Sequence, residues 1–404
     1  MTDAALRRTP FHEVIAPLNK AEAWERWQGY VAATRFYDTG QEYAAIRNTA
    51  SLYDISPMLK YRVTGPDAAR FVNRLITRDI DRCRPGRCFY TPWCNGEGHI
   101  IEDGTIFRFS EDVFQINCAD RNLTWFLATA DGLDVRIEDV SEHIAALSLQ
   151  GPLAREVLLK AGAKEAETLK YFGLVQTRIG DAPVTLTRTG FTGDLGYEIW
   201  MAAADAPAIW DTLMDAGAGY GIAPTGMLAL DMARVEAGLL LIDVDYTPAR
   251  KARIEGQKSS PFELDLGWTV NLNKSGNFNG RRALAQEKVN GSHWATVGLE
   301  VDWNALEAAY ARAGLSPAVP HTAWRSSVPL YGGSGLGRER QVGYATSGCF
   351  SPILKRYIAL ATVEPKYSQL GSELLMEVTV EHVPRKVLVR VVEKPFFDPP
   401  RKKA

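Results

Sequence analysis

Two adjacent acids, Glu102 and Asp103, lie within a stretch whose other residues favour a β-strand. The stretch has the sequence GHIIEDGTIFRF over residues 98–109, and its isoleucines and phenylalanines are typical of a partly buried strand. Because burying an unpaired carboxylate is costly, two of them in such a strand raise the question whether either has a chemical role. A carboxylate in this setting can accept or deliver a proton, and either acid could do so.

A third acid, Glu198, follows a glycine-rich turn with the sequence GFTGDLGYEIW at residues 190–200. The glycines allow the backbone to approach a ligand closely, and Glu198 stands at the start of the following strand. The segment is not a phosphate-binding loop, because it has neither G-K-[ST] nor a G-x-G-x-x-G that opens a helix. The alternative interpretation is a tight hairpin turn with a surface glutamate.

The cysteines and histidines show none of the spacings of a metal site. The five cysteines include no C-x-x-C pair and the six histidines no H-x-x-x-H pair, so free thiols and no metal are predicted. The formal net charge is −2, which does not favour binding to nucleic acid or to an anionic membrane. The sequence has no apolar run of about 18 residues and no apolar signal segment near its N-terminus, so a cytoplasmic protein is predicted.

The elements that must position these acids follow a repeated order. At 404 residues the chain is too long for one hydrophobic core, so two or three domains are expected. A strand, a Gly-Pro turn and a helix follow one another at Gly65-Pro66 and again at Gly151-Pro152, which predicts two related α+β units. From about residue 290, short alternating segments predict a small all-β domain. We place the domain boundary between 1–285 and 286–404.

The sequence also predicts the local structure of two further segments. Residues 42–56 favour a helix that ends before Asp54. The last residues, PPRKKA, are expected to fray.

Eight segments taken together resemble the aminomethyltransferase family, which comprises the glycine-cleavage T-protein and its tetrahydrofolate-dependent demethylase relatives. In chain order they are YDISPM (53–58), GHIIEDG (98–104), LQGP (149–152), TGFTGDLGYEI (189–199), LDMARVEAG (230–238), SPFELDLGWTV (260–270), FNGRRAL (278–284) and TSGCFSPILKRYIALA (346–361). The resemblance implies an α+β fold with two ferredoxin-like units around a central folate channel, plus a C-terminal β-barrel. It also implies tetrahydrofolate as the cofactor.

The resemblance further implies which residues bind the folate. Glu198 matches the glutamate that faces the aminopyrimidine edge of the pterin, where a carboxylate can accept two N–H donors. Tyr90 matches a family tyrosine beside the folate, and Asp54 and Met58 match a family segment in which Pro57 replaces a histidine. The expected folate-binding residues are Glu198, Tyr90, Asp103, Met58, Arg234, Tyr197 and Trp200.

The acids Glu102 and Asp103 match a pair of aspartates in the T-protein. The first of that pair is the T-protein's catalytic carboxylate, so the resemblance implies that Glu102 is catalytic. The period of two in a strand argues otherwise, because it places Asp103 with Ile101 and Phe107 on the more apolar face and Glu102 with Arg108. We follow the resemblance and predict that Glu102→Ala reduces turnover more than stability.

Two differences from the T-protein argue against glycine cleavage. The additional methylene of Glu102 would move its carboxylate by roughly 1.5 Å, and a misplacement of that order can cost about 100-fold in rate. Leu230 stands where the T-protein has an arginine, so one cationic contact is missing. Demethylases transfer a whole methyl group to N5 and leave N10 alone, so they do not need the shorter acid.

Transfer of a methyl group from an ether needs a hydrogen-bond donor or acid beside the leaving oxygen. The candidate donors are His99, Tyr90 and His12, in that order, and the predicted catalytic residues are Glu102, Tyr90 and His99. The aromatic residues near the expected channel favour an aryl methyl ether as the methyl donor. Dimethylsulfoniopropionate or a methylated amine is the alternative, since an aromatic wall also attracts a sulfonium cation.

Two other functions stay open. A true glycine-cleavage aminomethyltransferase would release ammonia from an aminomethyl-lipoyl carrier, and a non-enzymatic folate-binding protein would bind folate without turnover. The expected partner is a small-molecule methyl donor. The chain is expected to be a monomer or a small homo-oligomer.

Overall fold

The computed structural model describes residues 6–332 and 339–404, and it has an α+β fold. The α-helices are α1 (His12–Ile15), α2 (Thr39–Asn48), α3 (Ala68–Leu75), α4 (Leu123–Thr129), α5 (Ala154–Lys160), α6 (Ala206–Gly217), α7 (Met227–Glu236), α8 (Arg281–Asn290) and α9 (Trp303–Ala311). The strands are β1 (Arg7–Arg8), β2 (Ala23–Trp27), β3 (Tyr30–Arg35), β4 (Ala50–Asp54), β5 (Leu59–Thr64), β6 (Arg87–Cys94), β7 (Ile100–Arg108), β8 (Val113–Cys118), β9 (Arg136–Asp139), β10 (Ile144–Gln150), β11 (Leu174–Ile179), β12 (Ala182–Thr187), β13 (Gly196–Ala202), β14 (Ile222–Pro224), β15 (Ala295–Val301), β16 (Val328–Gly332), β17 (Arg340–Ser351), β18 (Arg356–Val363), β19 (Glu373–Val380) and β20 (Val383–Val392).

Five strands form the first large sheet, in the order β6-β7-β8-β5-β9. Helices α3 and α4 cover one of its faces, and Phe71, Phe114 and Phe126 are fully buried there. Strands β7 and β8 form a hairpin, with Arg108 opposite Phe114. The sheet is therefore packed against helices on one side and offers its other side to the rest of the molecule.

Six strands form the second large sheet, in the order β11-β12-β13-β10-β4-β14. Helices α5 and α6 pack against one face around a core that includes Leu147 and Trp210. Strands β12 and β13 form a hairpin, and β13 also pairs with β10, where Glu198 stands opposite Ser148. The strand that carries Glu198 is thus held on both sides.

Each of the two units contains the Gly-Pro turn seen in the sequence, with the same backbone conformation. Gly65 and Gly151 both have φ of 127°, a value that side-chain-bearing residues rarely adopt. A Cβ atom at Gly65 would lie 2.8 Å from the carbonyl oxygen of Asp134, and one at Gly151 would lie 2.6 Å from that of Thr49. The matched geometry supports the interpretation of two related units.

The two sheets meet through their uncovered faces. The apolar residues there, called the inter-sheet cluster from here on, are Tyr53, Ile55, Cys88, Phe107, Ala146, Leu174 and Trp200. Phe107 from the first sheet and Trp200 from the second make an edge-to-face contact, with ring centroids 5.3 Å apart. The space beside this cluster is where the predicted central channel would lie.

The C-terminal part forms the predicted β-barrel. Its six strands close in the order β15-β18-β17-β16-β19-β20, and β15 pairs with both β18 and β20. The first barrel strand begins at Ala295, and the domain boundary at residue 286 stays a prediction. Within the described residues, no helix is both long enough and apolar enough to cross a membrane.

Two local expectations were wrong. The helix predicted over 42–56 ends at Asn48, because Ala50–Asp54 pairs with β10 and β14 inside the second sheet and this pairing overrides helix propensity. The C-terminal residues do not fray: Arg401 donates to the buried carboxylate of Asp194 at 2.6 Å. The end of the chain is held by the loop that precedes β13.

Candidate active site

The two neighbouring acids of β7 lie on opposite faces of the first sheet. Glu102 lies on the side that α3 and α4 cover, and none of its surface is exposed. Its carboxylate accepts hydrogen bonds from the backbone N–H groups of Ala119 (2.6 Å) and Asp120 (2.8 Å) and from the side-chain amide of Asn122. The Arg250 guanidinium lies 3.7 Å away. Glu102 thereby holds the loop after β8 and has no open side.

The other acid, Asp103, is half-buried and lies on the inter-sheet side. The phenol of Tyr246 donates a hydrogen bond to its carboxylate, and the phenol of Tyr90 is a second partner. Burial raises the pKa of Asp103, and these hydrogen bonds only partly oppose the rise. Burial, together with the negative charge of Asp103, also raises the pKa of both tyrosines well above the usual value. This group of three, called the hydroxyl–carboxylate cluster below, therefore retains its phenolic protons at neutral pH.

Pairing in the sheet explains why Tyr90 reaches Asp103. Tyr90 stands opposite Thr105, which lies two residues beyond Asp103 on the same face of β7. Diagonal neighbours of this kind are within reach of an aromatic side chain. The first sheet alone thus assembles two members of the cluster.

Tyr246 comes from the loop after α7, which a buried ion-pair network holds in place. Arg234 pairs with Asp231 at 2.7 Å and with Asp245, and it also donates to the carbonyl oxygen of Leu239. Asp245 accepts further hydrogen bonds from two barrel hydroxyls, those of Thr346 (2.6 Å) and Ser347 (2.7 Å). The barrel and α7 together fix the loop that presents Tyr246 to Asp103.

Glu198 lies on the inter-sheet side of the second sheet and is half-buried. Its carboxylate accepts one hydrogen bond, from the Thr189 hydroxyl at 2.8 Å. Burial raises the pKa of Glu198 to about 7, and the hydrogen bond from Thr189 opposes the rise. Because only one donor among the described residues bonds to this carboxylate, it retains acceptor capacity for the paired N–H groups of a pterin.

The structure brings some of the predicted folate-binding residues together and separates others. Trp200 and Met58 contribute to the packing around the inter-sheet cluster, on the same side as Glu198. Tyr197 points to the opposite face of β13, where its hydroxyl bonds to Arg155 and to the carbonyl oxygen of Ala166. Arg234 is fully buried in its ion pairs, so we infer that it acts through the Tyr246 loop and does not contact folate.

The predicted proton donors other than Tyr90 lie outside the hydroxyl–carboxylate cluster. His99 lies in the turn before β7, with Nδ1 3.6 Å from the carboxylate of Glu97. His12 packs against the ring of Trp24 near the N-terminal strands. The described hydrogen bonds to Asp103 come from tyrosines, so the geometry favours a phenol over an imidazole as the proton donor.

A set of possible metal ligands occurs at Glu97, His99 and Glu255, but a cation of the protein is already present there. The ammonium group of Lys258 lies 3.4 Å from Glu97 and 2.6 Å from Glu255. The geometry therefore favours an ion-pair cluster over a metal site.

Sequence reasoning missed Tyr246. It is separated from Asp103 by 143 residues and lies in a loop without periodicity. Its only signal in the sequence is a lone tyrosine shortly after the RVEAG segment, which does not distinguish it from a core residue.

Comparison with known proteins identifies close similarity over nearly the whole chain. The family description "GCVT N-terminal domain" matches residues 11–274, and "Glycine cleavage T-protein C-terminal barrel domain" matches residues 313–398. The chain is 32% identical over 397 residues to the aminomethyltransferase of Caldanaerobacter subterraneus subsp. tengcongensis, with 97% of this chain and 96% of that protein covered. It is 32% identical over 375 residues to the aminomethyltransferase of Halalkalibacterium halodurans, with 91% and 92% covered.

A solved structure has the same fold. The crystal structure of glycine cleavage system aminomethyltransferase T from Bartonella henselae matches with a TM-score of 0.80 and 24% sequence identity. The match covers 97% of this chain and 98% of that one.

Proposed function

The chain belongs to the aminomethyltransferase family of folate-dependent one-carbon transferases, and from that premise we propose that it is a tetrahydrofolate-dependent demethylase. It would move a methyl group from an aryl methyl ether to N5 of tetrahydrofolate and so form 5-methyltetrahydrofolate. The observation that carries this proposal is the hydroxyl–carboxylate cluster, in which the phenol of Tyr246 donates a hydrogen bond to Asp103 and the phenol of Tyr90 lies beside the same carboxylate.

The reaction is balanced without an oxidant. The bond between the ether oxygen and the methyl carbon breaks, and its electron pair leaves with the oxygen as a phenolate. A new bond joins that carbon to N5, and the proton that N5 loses balances the proton that the phenolate gains. The protein must orient the two reactants in line and supply a proton at the leaving oxygen.

Tyr246 and Asp103 can deliver that proton. Because the pKa of Tyr246 is raised, its hydroxyl is protonated at neutral pH and can donate to a developing phenolate. A tyrosinate left beside the Asp103 carboxylate would be unfavourable. Asp103, whose pKa is raised by burial, can take up the proton that N5 loses and pass it to the tyrosinate. The pair thus acts as a short proton relay, and Tyr90 holds the carboxylate in position.

The residues on the inter-sheet side fit a reduced pterin. Glu198 has one protein donor at its carboxylate and lies beside Trp200, whose buried indole N–H has no partner among the described residues. Carboxylates recognise adjacent N–H groups through paired hydrogen bonds. When bound, tetrahydrofolate supplies the N5 lone pair that accepts the methyl group. Glu198 would fix the pterin edge, and Trp200 and Phe107 would exclude water from it.

The contacts of Glu102 change one argument made from the sequence. A longer carboxylate at this position was expected to disturb glycine cleavage by misplacing a catalytic group. Glu102 instead binds backbone N–H groups on the helix side of the sheet, so its length has no direct effect on the inter-sheet space. The case for demethylation therefore no longer rests on Glu102. It rests on Leu230, which stands where the T-protein has an arginine, together with the phenols at Asp103.

The second candidate function is glycine-cleavage aminomethyl transfer. The relatives with 32% identity carry the name aminomethyltransferase, which favours it. It would require release of ammonia from a carrier-bound aminomethyl group and formation of a methylene bridge between N5 and N10. A phenol proton could assist departure of ammonia as well as of a phenolate, so a direct assay must separate the two.

A donor screen tests the proposal. The protein would be incubated with tetrahydrofolate and, separately, with methoxybenzoates, dimethylsulfoniopropionate, dimethylglycine, betaine or an aminomethyl-lipoyl carrier, and the folate product would be measured by mass. We expect 5-methyltetrahydrofolate with a methoxybenzoate. Ammonia together with 5,10-methylenetetrahydrofolate would establish the second candidate instead. Binding of tetrahydrofolate without any product would support a non-enzymatic folate-binding protein.

A further inference from the structure

An arginine, Arg78, lies at the edge of the first sheet beside the hydroxyl–carboxylate cluster. Its guanidinium carbon is 3.7 Å from the ring centroid of Phe89 and 5.4 Å from that of Trp268. One of its N–H groups donates to the carbonyl oxygen of Tyr90 at 3.2 Å. Arg78 is thus held between two aromatic rings, next to a residue that bonds to Asp103.

Arg78 has no acidic partner among the described residues. Across residues 6–332 and 339–404, no carboxylate forms an ion pair with it, and the hydrogen bond to Tyr90 uses one of its five N–H donors. Burial lowers the pKa of Arg78, with the Cys83 thiol as the other titratable group acting on it. By contrast, the buried Arg47 pairs with Glu236 at 2.6 Å. A partly desolvated guanidinium without an anion favours binding of one.

Trp268 supplies an aromatic surface at the same place. Its side chain is 64% exposed, although it stacks on Tyr90 with ring centroids 6.3 Å apart and an interplanar angle of 28°. An exposed tryptophan beside a reactive cluster is typical of a binding surface, because one face of the ring is free to stack on a ligand. Trp268 and Arg78 therefore combine an aromatic surface with a free cation.

We infer that Arg78 and Trp268 recognise an aromatic ring that carries a carboxylate, an inference that rests on the proposed function. The guanidinium binds the carboxylate and the indole stacks on the ring. Two reactants of the proposed reaction have this chemistry: a methoxybenzoate donor, and the p-aminobenzoylglutamate part of tetrahydrofolate. Arg78 then determines either which donor is accepted or how tightly the folate is held.

The test compares Arg78→Gln with the matched variant Arg62→Gln. Arg62 is also partly buried, lies 4.6 Å from the ring centroid of Phe109, and has no ion pair among the described residues, but it belongs to β5. The donors are 4-hydroxy-3-methoxybenzoate and 2-methoxyphenol, which has the same ring without the carboxylate. We expect Arg78→Gln to raise KM for the carboxylate donor about 10-fold and to leave KM for 2-methoxyphenol unchanged. Arg62→Gln should change neither.

A binding experiment tests whether the carboxylate that Arg78 binds belongs to the folate or to the methyl donor. Dissociation constants of tetrahydrofolate and of 6-methyltetrahydropterin, which lacks the p-aminobenzoylglutamate, would be measured by tryptophan fluorescence. If Arg78→Gln weakens only tetrahydrofolate binding, the folate is the source. Arg78→Lys, which keeps the charge, should recover part of either effect, and Trp268→Ala should weaken binding of the same ligand. Thermal melting would verify that each variant is folded.

The outcomes separate this inference from the proposed function. If the wild-type protein demethylates a donor and Arg78→Gln changes none of these constants, the inference is wrong and the proposed function stands. If no donor is demethylated but tetrahydrofolate binding still depends on Arg78, the proposed function is wrong and the inference stands with the folate as its ligand.

Discussion

Glu102 and Asp103 are adjacent in the chain, yet they lie in two chemically different regions of the molecule. On the helix side of the first sheet, the Glu102 carboxylate accepts two backbone N–H groups and one amide N–H and is fully buried. On the inter-sheet side, Asp103 is half-buried and its described partners are phenols, which can themselves exchange protons. The acceptor positions of the Glu102 carboxylate are occupied by these donors, whereas the Asp103 carboxylate can still exchange protons.

The difference shows how one strand can serve both stability and function. A carboxylate that is saturated by backbone donors anchors a loop, because losing it would leave those donors buried and unsatisfied. A carboxylate bonded to phenols can pass protons, because each partner both donates and accepts. Substitutions at the two positions should therefore separate folding from turnover.

The largest expected effect is on turnover at Asp103. Asp103→Asn keeps the shape and most hydrogen bonds but cannot return a proton to Tyr246, so kcat should fall about 1000-fold. The melting temperature should change little. Steady-state formation of 5-methyltetrahydrofolate and a thermal melt measure the two quantities. An Asp103→Asn variant with wild-type kcat would remove the proton relay from the mechanism.

Glu102→Ala should have the next largest effect, and on stability. The substitution leaves the N–H groups of Ala119 and Asp120 and the amide of Asn122 without their acceptor, so the free energy of unfolding should fall by about 3 kcal/mol. Urea denaturation measures this loss. The kcat per folded molecule should stay within about threefold of wild type.

This expectation reverses the one drawn from the resemblance, which assigns catalysis to Glu102. A large loss of kcat in folded Glu102→Ala protein, with unchanged stability, would restore the earlier assignment.

Tyr246→Phe should reduce kcat by about 30-fold, because it removes the proton donor at the leaving oxygen. The loss should grow with the pKa of the leaving phenol, since a more basic phenolate depends more on protonation. A series of ring-substituted methoxybenzoates would reveal this dependence. Tyr197→Phe, on the helix side of β13, serves as the control. It should affect stability but should not make kcat depend more strongly on the pKa of the leaving phenol.

Glu198→Gln should have the smallest effect, on the pH dependence of stability. Because the pKa of Glu198 is about 7 in the folded protein and 4.5 ordinarily, the folded state binds more protons than the unfolded state between these values. The free energy of unfolding of the wild type should therefore fall as the pH rises from 5 to 8, by about 2.5 kcal/mol. Glu198→Gln should lack this contribution. Parallel pH slopes for the two proteins would contradict the raised pKa.

Local patterns in the sequence predicted most of the fold. The Gly-Pro turns at Gly65 and Gly151 and the β-rich C-terminal part depend on residues close together in the chain, and the structure contains them. The wrong expectations concern segments whose state depends on distant partners. Residues 50–54 form a strand because β10 and β14 lie beside them, and Arg401 is held because Asp194 is buried nearby.

The site was predictable only in part. Glu198, Asp103 and Tyr90 could be named from the resemblance, and the structure places all three on inter-sheet faces. The choice between Glu102 and Asp103 depended on which strand face is covered by helices. Strand periodicity placed the two acids on opposite faces, but it did not show which of the faces the helices cover. Tyr246 could not be named, because its role depends on a loop held by Arg234 and by hydroxyls of the barrel.

The class of fold, the duplicated units and the alternation of faces along β7 could be predicted from the residues, since turns and strand periodicity depend on local steric and hydrophobic preferences. Which face of β7 is open and which tyrosine reaches Asp103 follow from tertiary packing. Helices α3 and α4 cover one face of the sheet and leave the other uncovered, and Tyr246 reaches Asp103 across 143 residues of sequence. Local preferences carry no information about such contacts.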